Sequence, residues 1–504
     1  MILQENTVFP ALVFDENDNW GTLLQLGPEF LDQRGIERLR AVLEPHCKSI
    51  IVERQYIDKD YRNTFANFHA KRFATPESRC IRLHFFTGFI SDNQLLGKAP
   101  FKNEQNRYLG YSVIRATRPN CIGRTLICDS TRFVANSHLC RCSENVHIMG
   151  EKLQVSGFPF ISQDADATVC AESALWMMLR YFSNRYSHYA EMLPFQITQL
   201  AGNHAFGRRV FPSGGLTSWQ LAEAIRLSRL APVIYSRPKQ FSGESEDAFK
   251  SRIDEFEHLL YTYIESGFPI LTTVDGHVFP AYGHSSDFSK EPKSENDQFL
   301  FSSAYNESIT VSDDNHFPYQ KLNKRMPAAH PCSQFTFSEI NEFIVPLPEK
   351  VFLTAENAQV AIERILRDSR FGIDAASSSL KGQELTLRLF LTTARAFKSK
   401  VVGRGMGNDL VAQIYRQIPL PHFIWVAEIA RSDEYREEHK IRGEIIWDAT
   451  RNAHEPDGWI VLHYPEKLIV DEGSAFNKTR KLVNIELDNG TNYDLLKSNL
   501  KPTF

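Results

Sequence analysis

The sequence has no long apolar run, no excess of one charge and no dense set of cysteines, and each absence excludes a class of protein. Its 504 residues include 57 Lys and Arg against 61 Asp and Glu, for a formal net charge of −4. This balance favours neither nucleic acid nor an anionic membrane surface as a partner. No apolar run reaches the length that spans a bilayer, so no membrane segment is predicted.

The cysteines are too few and too scattered for a disulfide framework. Eight Cys are spread over the whole length, whereas disulfide-rich secreted domains concentrate them in a short chain. Residues 1–20 carry four acids and lack the basic start and the apolar stretch of a secretory signal. We therefore expect a cytoplasmic, reducing setting, in which a thiol stays available for chemistry.

One small group of side chains raises the question of a zinc site: His138, Cys140, Cys142 and His147. Structural zinc sites space their paired cysteines by two to four residues, and Cys-x-Cys does not fit that rule. We interpret the group as strand cysteines with surface histidines. The sequence predicts no metal and no cofactor.

The length is sufficient for two to four domains, and the 42% hydrophobic content is that of an ordinary globular chain. Sequence patterns divide the chain into residues 1–150, 151–345 and 346–504. A stretch at 345–348 with two prolines looks like a linker. Strand-like and helical patterns alternate in the first and third regions, so we expect mixed α/β structure there. These two flanking regions are candidate binding surfaces for a partner protein.

The middle region contains a strongly periodic stretch that begins at Cys170. Apolar residues at helical spacing predict one buried helix face: Ala171, Ala174, Leu175, Met178, Leu179 and Phe182. Cys170 is then at the helix N-terminus, where unpaired N–H groups and the macrodipole favour a thiolate. A thiolate attacks carbonyl carbon, so Cys170 is a candidate nucleophile, and the alternative is a buried structural cysteine.

Gln163 lies seven residues before Cys170, on the loop that leads into this helix. Its side-chain amide is a candidate donor to an oxyanion that forms beside the thiol. Further along the chain, patterns over about 217–230 and 246–266 predict two more helices.

A turn and two strand ends position the other candidate residues. An Asp-Gly pair between two apolar runs predicts a hairpin, with His277 as the first residue after the turn. A later strand ends just before Asp313, where a carboxylate is held in a fixed position. Asp314 is the register alternative, although we expect it to point to the other side of the sheet. His284 and His316 are weaker candidates, because they lie past the strand end and past the acid.

The order of a Gln, a Cys at a helix start, a Gly-His at a strand start and an Asp at a strand end resembles the papain-like cysteine peptidases. The likeness is closest to the bacterial bacteriocin-processing branch and covers about residues 157–320. It implies an α+β fold, in which a papain-like core has a helical half and an antiparallel sheet half. It also implies that Cys170, His277, Asp313 and Gln163 are the catalytic residues. Separately, we expect the third region to pack on the sheet of the middle region.

The chain departs from this family directly after the candidate nucleophile. Many relatives have Gly there, whereas this chain has Ala171 and Glu172. Glu172 suits the first turn of a helix, but its negative charge opposes a neighbouring thiolate.

We therefore expect a thiol-dependent hydrolase that cleaves a peptide or isopeptide bond in a protein or peptide substrate. An acyl transferase or a transglutaminase-like enzyme uses the same triad, because the pocket chooses the acceptor. A catalytically silent papain-like scaffold that binds a protein partner is an alternative of another class. Labelling of Cys170 by a thiol alkylator across pH separates the enzymes from the scaffold.

Overall fold

A computed structural model describes residues 11–13, 20, 23, 33–44, 46–95, 97–117, 121–129, 137–164, 169–202, 215–292, 299–324, 335–406, 409–452, 458–472, 481–487, 492–496 and 500–502.

The N-terminal region forms an antiparallel sheet of five strands in the order β1-β2-β3-β4-β5. Its strands and helices are β1 (Ala11–Val13), α1 (Gln33–Leu43), β2 (Ser49–Tyr56), α2 (Lys59–Asn67), β3 (Cys80–Phe86), α3 (Asp92–Leu95), β4 (Tyr108–Ile114) and β5 (Ile122–Ile127). Successive residues of a strand point to opposite faces, and both faces here are covered. Ile50 belongs to the apolar cluster that contains Leu39 of α1, whereas Ile51 belongs to a second cluster with Val146.

Three strands connect this sheet to the middle of the chain: β6 (Ser137–Leu139), β7 (Cys142–Ile148) and β8 (Glu151–Gly157). β7 and β8 form an antiparallel hairpin, and Val146 on it covers the second face of the N-terminal sheet.

The helical part of the middle region follows, with α4 (Cys170–Arg185), α5 (Pro194–Gly202), α6 (Ser218–Leu227), β9 (Leu230–Ser236) and α7 (Glu246–Glu265). The predicted helix over 217–230 is three residues too long, because the chain leaves it at Leu227 and turns into β9. α4 also differs from a helix with one buried face, because residues 171–182 are all buried. Its polar side is covered by α2, whose Asp60 accepts hydrogen bonds from Trp176 and Arg180.

The strands that follow in the middle region are β10 (Ile270–Val274), β11 (His277–Ser286), β12 (Phe299–Phe301), β13 (Asn306–Val311), β14 (Gln320–Asn323) and β15 (Glu342–Pro348). All of them except β12 belong to one sheet. Its main path is β14-β13-β11-β10-β15-β9, and β6 pairs with β11. The linker predicted at 345–348 is wrong, since these residues are buried in β15 and pair with β9.

The C-terminal region contains these elements: α8 (Ala355–Leu366), α9 (Ile373–Ala376), β16 (Leu385–Thr393), α10 (Ala394–Val401), α11 (Asp409–Gln417), β17 (Phe423–Arg431), α12 (Ser432–Glu437), β18 (Lys440–Ile441), β19 (Gly443–Asp448), β20 (Trp459–Tyr464), β21 (Lys467–Asp471), β22 (Leu482–Glu486), β23 (Tyr493–Asp494) and β24 (Lys501–Pro502). The second large sheet has the order β12-β16-β17-β19-β20-β21-β22, and α10 and α11 pack on one of its faces. Buried ion pairs join this sheet to α7. Arg388 on β16 donates to Glu265 at 2.8 Å and to Glu428 on β17 at 2.6 Å.

Strands pair across the boundaries that the sequence suggests between the three regions. β6 from the first region and β24 from the third join the middle sheet, and β12 from the middle region joins the C-terminal sheet. The division at 150 and 345 stays a prediction. Helices and mainly antiparallel sheets confirm the α+β class. Within the ranges given above, no helix combines the length and apolarity needed to cross a membrane.

Candidate active site

His277 is held at the start of β11 by a tight hairpin. Val274 at the end of β10 pairs with His277, and Gly276 between them has φ of +71°, a conformation that favours glycine. The prediction from the Asp-Gly pair is therefore confirmed. The hairpin fixes the backbone from which the imidazole projects, so the ring has a defined position at the start of β11, an interior strand of the sheet.

Strand pairing brings Asp313 to this imidazole. β13 runs antiparallel to β11, with Val311 opposite Ala281, and the Ser312 N–H continues the ladder by donating to Pro280. The chain past β13 therefore reaches the level of His277. Asp313 Oδ1 lies 2.8 Å from His277 Nε2 and is almost fully buried. Asp313, as predicted, is the nearer of the two candidate acids to the ring.

Cys170 is the first residue of α4, as the periodicity predicts, and it is half-buried. Val169 before it is extended, and its side chain caps none of the first N–H groups of the helix. The thiol lies near enough to His277 to contribute to raising the pKa of the imidazole. Because Nε2 of this ring faces Asp313, Nδ1 is the ring nitrogen that remains for the sulfur.

The electrostatics of the imidazole favour its charged form. Burial lowers the pKa of His277, but the hydrogen bond with Asp313, the interaction with Cys170 and the charges of Asp313 and Asp314 outweigh burial and raise it to about 10. Burial raises the pKa of Asp313, but the hydrogen bond and the charge of His277 bring it below the ordinary value. An imidazolium beside a carboxylate is thus stable at neutral pH.

Asp314 lies on the same side of the chain as Asp313, which corrects the prediction that it points away. Its Oδ1 is 3.5 Å from His277 Nε2, and its Oδ2 accepts the backbone N–H of Gln163 at 3.3 Å. The alternation of a strand ends at Val311, so the two acids occupy a turn in which neighbours face the same ring. Burial is the main cause that raises the pKa of Asp314 to about 7.

Gln163 is brought to this turn by its backbone and by its side chain. Its Nε2 donates to Asn315 Oδ1 at 2.6 Å, and the Asn315 N–H donates to Asp313 Oδ1 at 2.9 Å. Asn315 thus connects the candidate oxyanion donor to the acid. The sequence reasoning missed this role, although an Asp side chain in a turn commonly accepts the backbone N–H two residues further on.

The N-terminal region also reaches the site, which the sequence reasoning missed entirely. Arg38 on α1 donates to the carbonyl oxygen of Asn315.

Phe335 stacks on the imidazole of His277, with ring centroids 5.8 Å apart and planes 27° from parallel. No local pattern marks either contact, because each depends on how distant parts of the chain pack.

The weaker histidine candidates lie in different places. His284 is buried in the ion-pair network between the two large sheets, 2.5 Å from Glu265. His316 is beside the site, with Nε2 3.9 Å from Asp313 Oδ2. Glu172, in the first turn of α4, is buried.

Among the residues that the structure describes, His277, Asp313 and Asp314 form a group that has the residue types and the spacing of a metal site. Their nearest ligand atoms lie within 4.8 Å of one another. The same three side chains include the 2.8 Å hydrogen bond between His277 and Asp313. At the Cys-x-Cys stretch, burial raises the pKa of Cys140 and of Cys142 to about 12, which disfavours the thiolate form that binds metals.

The chain was compared with family models, with curated proteins and with solved structures, and nothing matches it in any of the three.

Proposed function

We propose that the chain is a thiol-dependent hydrolase with a papain-like core that cleaves a peptide or isopeptide bond. One observation carries the proposal: a single imidazole has the thiol of Cys170 as one partner and the carboxylate of Asp313 as the other. A nucleophile, a base and a group that orients the base is the arrangement that covalent acyl transfer requires.

The proposed mechanism begins with transfer of the thiol proton to Nδ1 of His277. The sulfur of Cys170 forms a bond to the carbonyl carbon, and the oxyanion accepts hydrogen bonds from the Cys170 N–H and the Gln163 amide. His277 then protonates the leaving amine as the C–N bond breaks. Water attacks the thioester, His277 takes its proton, and the acid and the free thiol are released.

Two features of the surroundings support this assignment. Asp313 accepts from Nε2 and from the Asn315 N–H, so the imidazole is held in one orientation and its Nδ1 is left for the thiol. Gln163 keeps one amide N–H beyond the one it donates to Asn315. The papain-like core is supported by α4, which packs against β10 and against β11, the strand that begins at His277.

The decisive experiment compares cysteine labelling with hydrolysis. Cys128 and Cys170 are partly exposed, whereas the five other described cysteines are buried, so Cys128→Ala is a matched control. We expect iodoacetamide to label Cys170 faster than Cys128 at pH 6 to 7, and to abolish hydrolysis of a peptide mixture. Cys170→Ala should be inactive, and Cys128→Ala active. Labelling at Cys170 no faster than at Cys128, with no hydrolysis by the wild type, would exclude the proposal.

The alternative of a catalytically silent scaffold is favoured by one observation, the buried carboxylate of Glu172 in the first turn of α4 beside Cys170. A buried anion there opposes a thiolate. Substitution Glu172→Gln separates the two functions. In a hydrolase it should accelerate labelling of Cys170 or leave it fast, whereas a scaffold should stay unreactive in both forms. Addition of a primary amine to the hydrolysis assay tests the acyl transferase alternative, because a transferase forms the amide.

A further inference from the structure

The turn that follows β13 holds two buried carboxylates against one imidazole. Asp313 and Asp314 are both almost fully buried. His277 Nε2 lies 2.8 Å from Asp313 Oδ1 and 3.5 Å from Asp314 Oδ1. One imidazolium balances only one negative charge when both carboxylates are ionised. The group then has an excess negative charge in a buried place, which a bound cation neutralises.

One oxygen of Asp314 has no hydrogen-bond donor. Its Oδ2 accepts the backbone N–H of Gln163 at 3.3 Å, whereas its Oδ1 is buried and accepts no hydrogen bond from the residues that the structure describes. A buried carboxylate oxygen is costly to leave without a donor or an ion. Oδ1 faces the same ring nitrogen as Asp313, so it marks the place where a positively charged ligand fits.

The spacing of the three side chains suits a small metal ion. One ligand atom from each of His277, Asp313 and Asp314 lies within 4.8 Å of the others. Zn²⁺ binds His nitrogen and carboxylate oxygen tetrahedrally at about 2.0 to 2.2 Å, which puts the ligand atoms about 3.3 to 3.6 Å apart. Nε2 and Asp314 Oδ1 have this separation already, at 3.5 Å. Nε2 and Asp313 Oδ1 need to separate by about 0.5 to 0.8 Å, which follows when their shared proton leaves.

His316 offers a fourth ligand from the solvent side. Its Nε2 is 3.9 Å from Asp313 Oδ2, and its side chain is partly exposed. The His316 backbone N–H donates to the carbonyl oxygen of Asp313 at 3.0 Å, so the turn fixes its position beside the two acids. Two imidazoles and two carboxylates complete a tetrahedral set. Imidazole ligands favour Zn²⁺ over Mg²⁺ and Ca²⁺, which prefer oxygen.

We propose that His277, Asp313, Asp314 and His316 bind Zn²⁺, and that the bound ion reversibly inhibits the enzyme. The binding stands on these four side chains alone, whereas the inhibition rests on the proposed function. When the bond from Zn²⁺ to Nε2 forms, the Nε2 proton is released to solvent, and the neutral ring keeps its other proton on Nδ1. Nδ1 is then unable to accept the proton of Cys170, so the sulfur stays a thiol and is a poor nucleophile.

The first test measures binding without any activity. The Cys170→Ala chain is titrated with ZnCl₂, and with MgCl₂ as a control, in a calorimeter. We expect it to bind one Zn²⁺ and no Mg²⁺. Adding Asp314→Asn or His316→Ala to this chain should weaken Zn²⁺ binding by at least about 10-fold. His188 is an exposed histidine that contacts Tyr189, so His188→Ala is a matched control and should change the affinity less than about 2-fold.

The binding outcomes are distinct. No Zn²⁺ binding, an affinity that neither Asp314→Asn nor His316→Ala lowers, or an equal loss in His188→Ala overturns the site. A loss in Asp314→Asn without a loss in His316→Ala removes His316 from the ligand set. Each of these results leaves the reactivity of the thiol, and with it the proposed function, in place.

The second test measures inhibition at the thiol. Iodoacetamide labelling of Cys170 at pH 7 should slow by at least about 10-fold when Zn²⁺ is added, and EDTA should restore it, while labelling of Cys128 changes less than about 2-fold. Zn²⁺ that slows Cys170 equally in Asp314→Asn acts by binding the sulfur directly, which overturns the proposed inhibition. Labelling that stays fast while calorimetry shows bound Zn²⁺ also overturns it. A wild-type Cys170 no more reactive than Cys128 without Zn²⁺ overturns the proposed function instead.

Discussion

The side-chain amide of Gln163 donates to Asn315 Oδ1 at 2.6 Å, although 152 residues separate them. Asn315 also donates its backbone N–H to Asp313 Oδ1. The loop that enters α4 and the turn that follows β13 are therefore joined at the point where His277 and Cys170 meet. One consequence is that the orientation of the candidate oxyanion donor depends on a residue that takes no part in the chemistry.

Replacement of Asn315 by Ala should therefore weaken catalysis without touching the reacting atoms. We expect kcat to fall about 10-fold for Asn315→Ala and about 100- to 1,000-fold for Gln163→Ala. Asn315→Ala only frees the Gln163 amide to rotate, whereas Gln163→Ala removes that amide. Steady-state kinetics on one peptide measures both. In a double variant the losses should not add, since Asn315 acts through Gln163. Additive losses would assign Asn315 a separate role.

Replacement of Cys170 by Ala should abolish activity at little cost to stability. Cys170 is half-buried at a helix start, whereas Cys140 is fully buried in the core. We expect Cys170→Ala to lower the free energy of unfolding by less than about 1 kcal/mol, and Cys140→Ala to cost more, because only the second leaves a cavity. Urea unfolding of the two variants measures the difference. A larger loss for Cys170→Ala indicates that the thiol is structural packing.

The two acids beside His277 should differ in their effect on the rate. Asp313 is 2.8 Å from Nε2 and Asp314 is 3.5 Å away. We expect kcat/KM to fall by about 10⁶ for His277→Ala and by about 10⁴ for Asp313→Ala, because a group that orients the base is partly replaceable. Asp314→Asn should lose less than about 10-fold, since it keeps an oxygen for the Gln163 N–H. A larger loss in Asp314→Asn than in Asp313→Asn reverses the assignment of the acid.

The stability of the protein should fall as the pH rises from about 4 to about 7 because of Asp314. Its pKa in the folded protein is about 7 against an ordinary value of 3.8. The folded state therefore holds the proton more tightly, and the stabilisation present at low pH is lost as the pH rises through this window. Asp314→Asn has no such titration, so relative to the variant the wild type should lose on the order of 1 to 4 kcal/mol. Urea unfolding at pH 4, 5, 6 and 7 checks the sign, and a difference that grows in the other direction contradicts the assignment.

The ion pairs between α7 and the C-terminal sheet should be costly to break from one side. Arg388 is buried and contacts both Glu265 and Glu428. We expect Arg388→Met to cost about 3 to 5 kcal/mol, because it leaves two buried carboxylates without their common counter-ion. Arg431→Met, on the exposed pair with Asp433, is a control that should cost less than about 1 kcal/mol. Denaturant unfolding monitored by tryptophan fluorescence compares the two.

Much of the candidate site could be predicted from the sequence because its signals are local. The start of α4 at Cys170, the hairpin before His277 and the strand end before Asp313 follow from helical periodicity, from the Asp-Gly pair and from alternation. Each of these patterns is set by backbone geometry over a few residues. The α+β class follows from the same patterns repeated along the chain.

Only the tertiary structure decided which distant residues join these local elements. It placed Asn315 on Gln163, Arg38 on Asn315 and Phe335 on His277, and it turned residues 345–348 into a buried strand between β10 and β9. Arg38 and Asn315 are 277 residues apart, and no short period of the sequence relates them. The strand at 345–348 forms because buried N–H and C=O groups must find partners, and only the folded sheet supplies them.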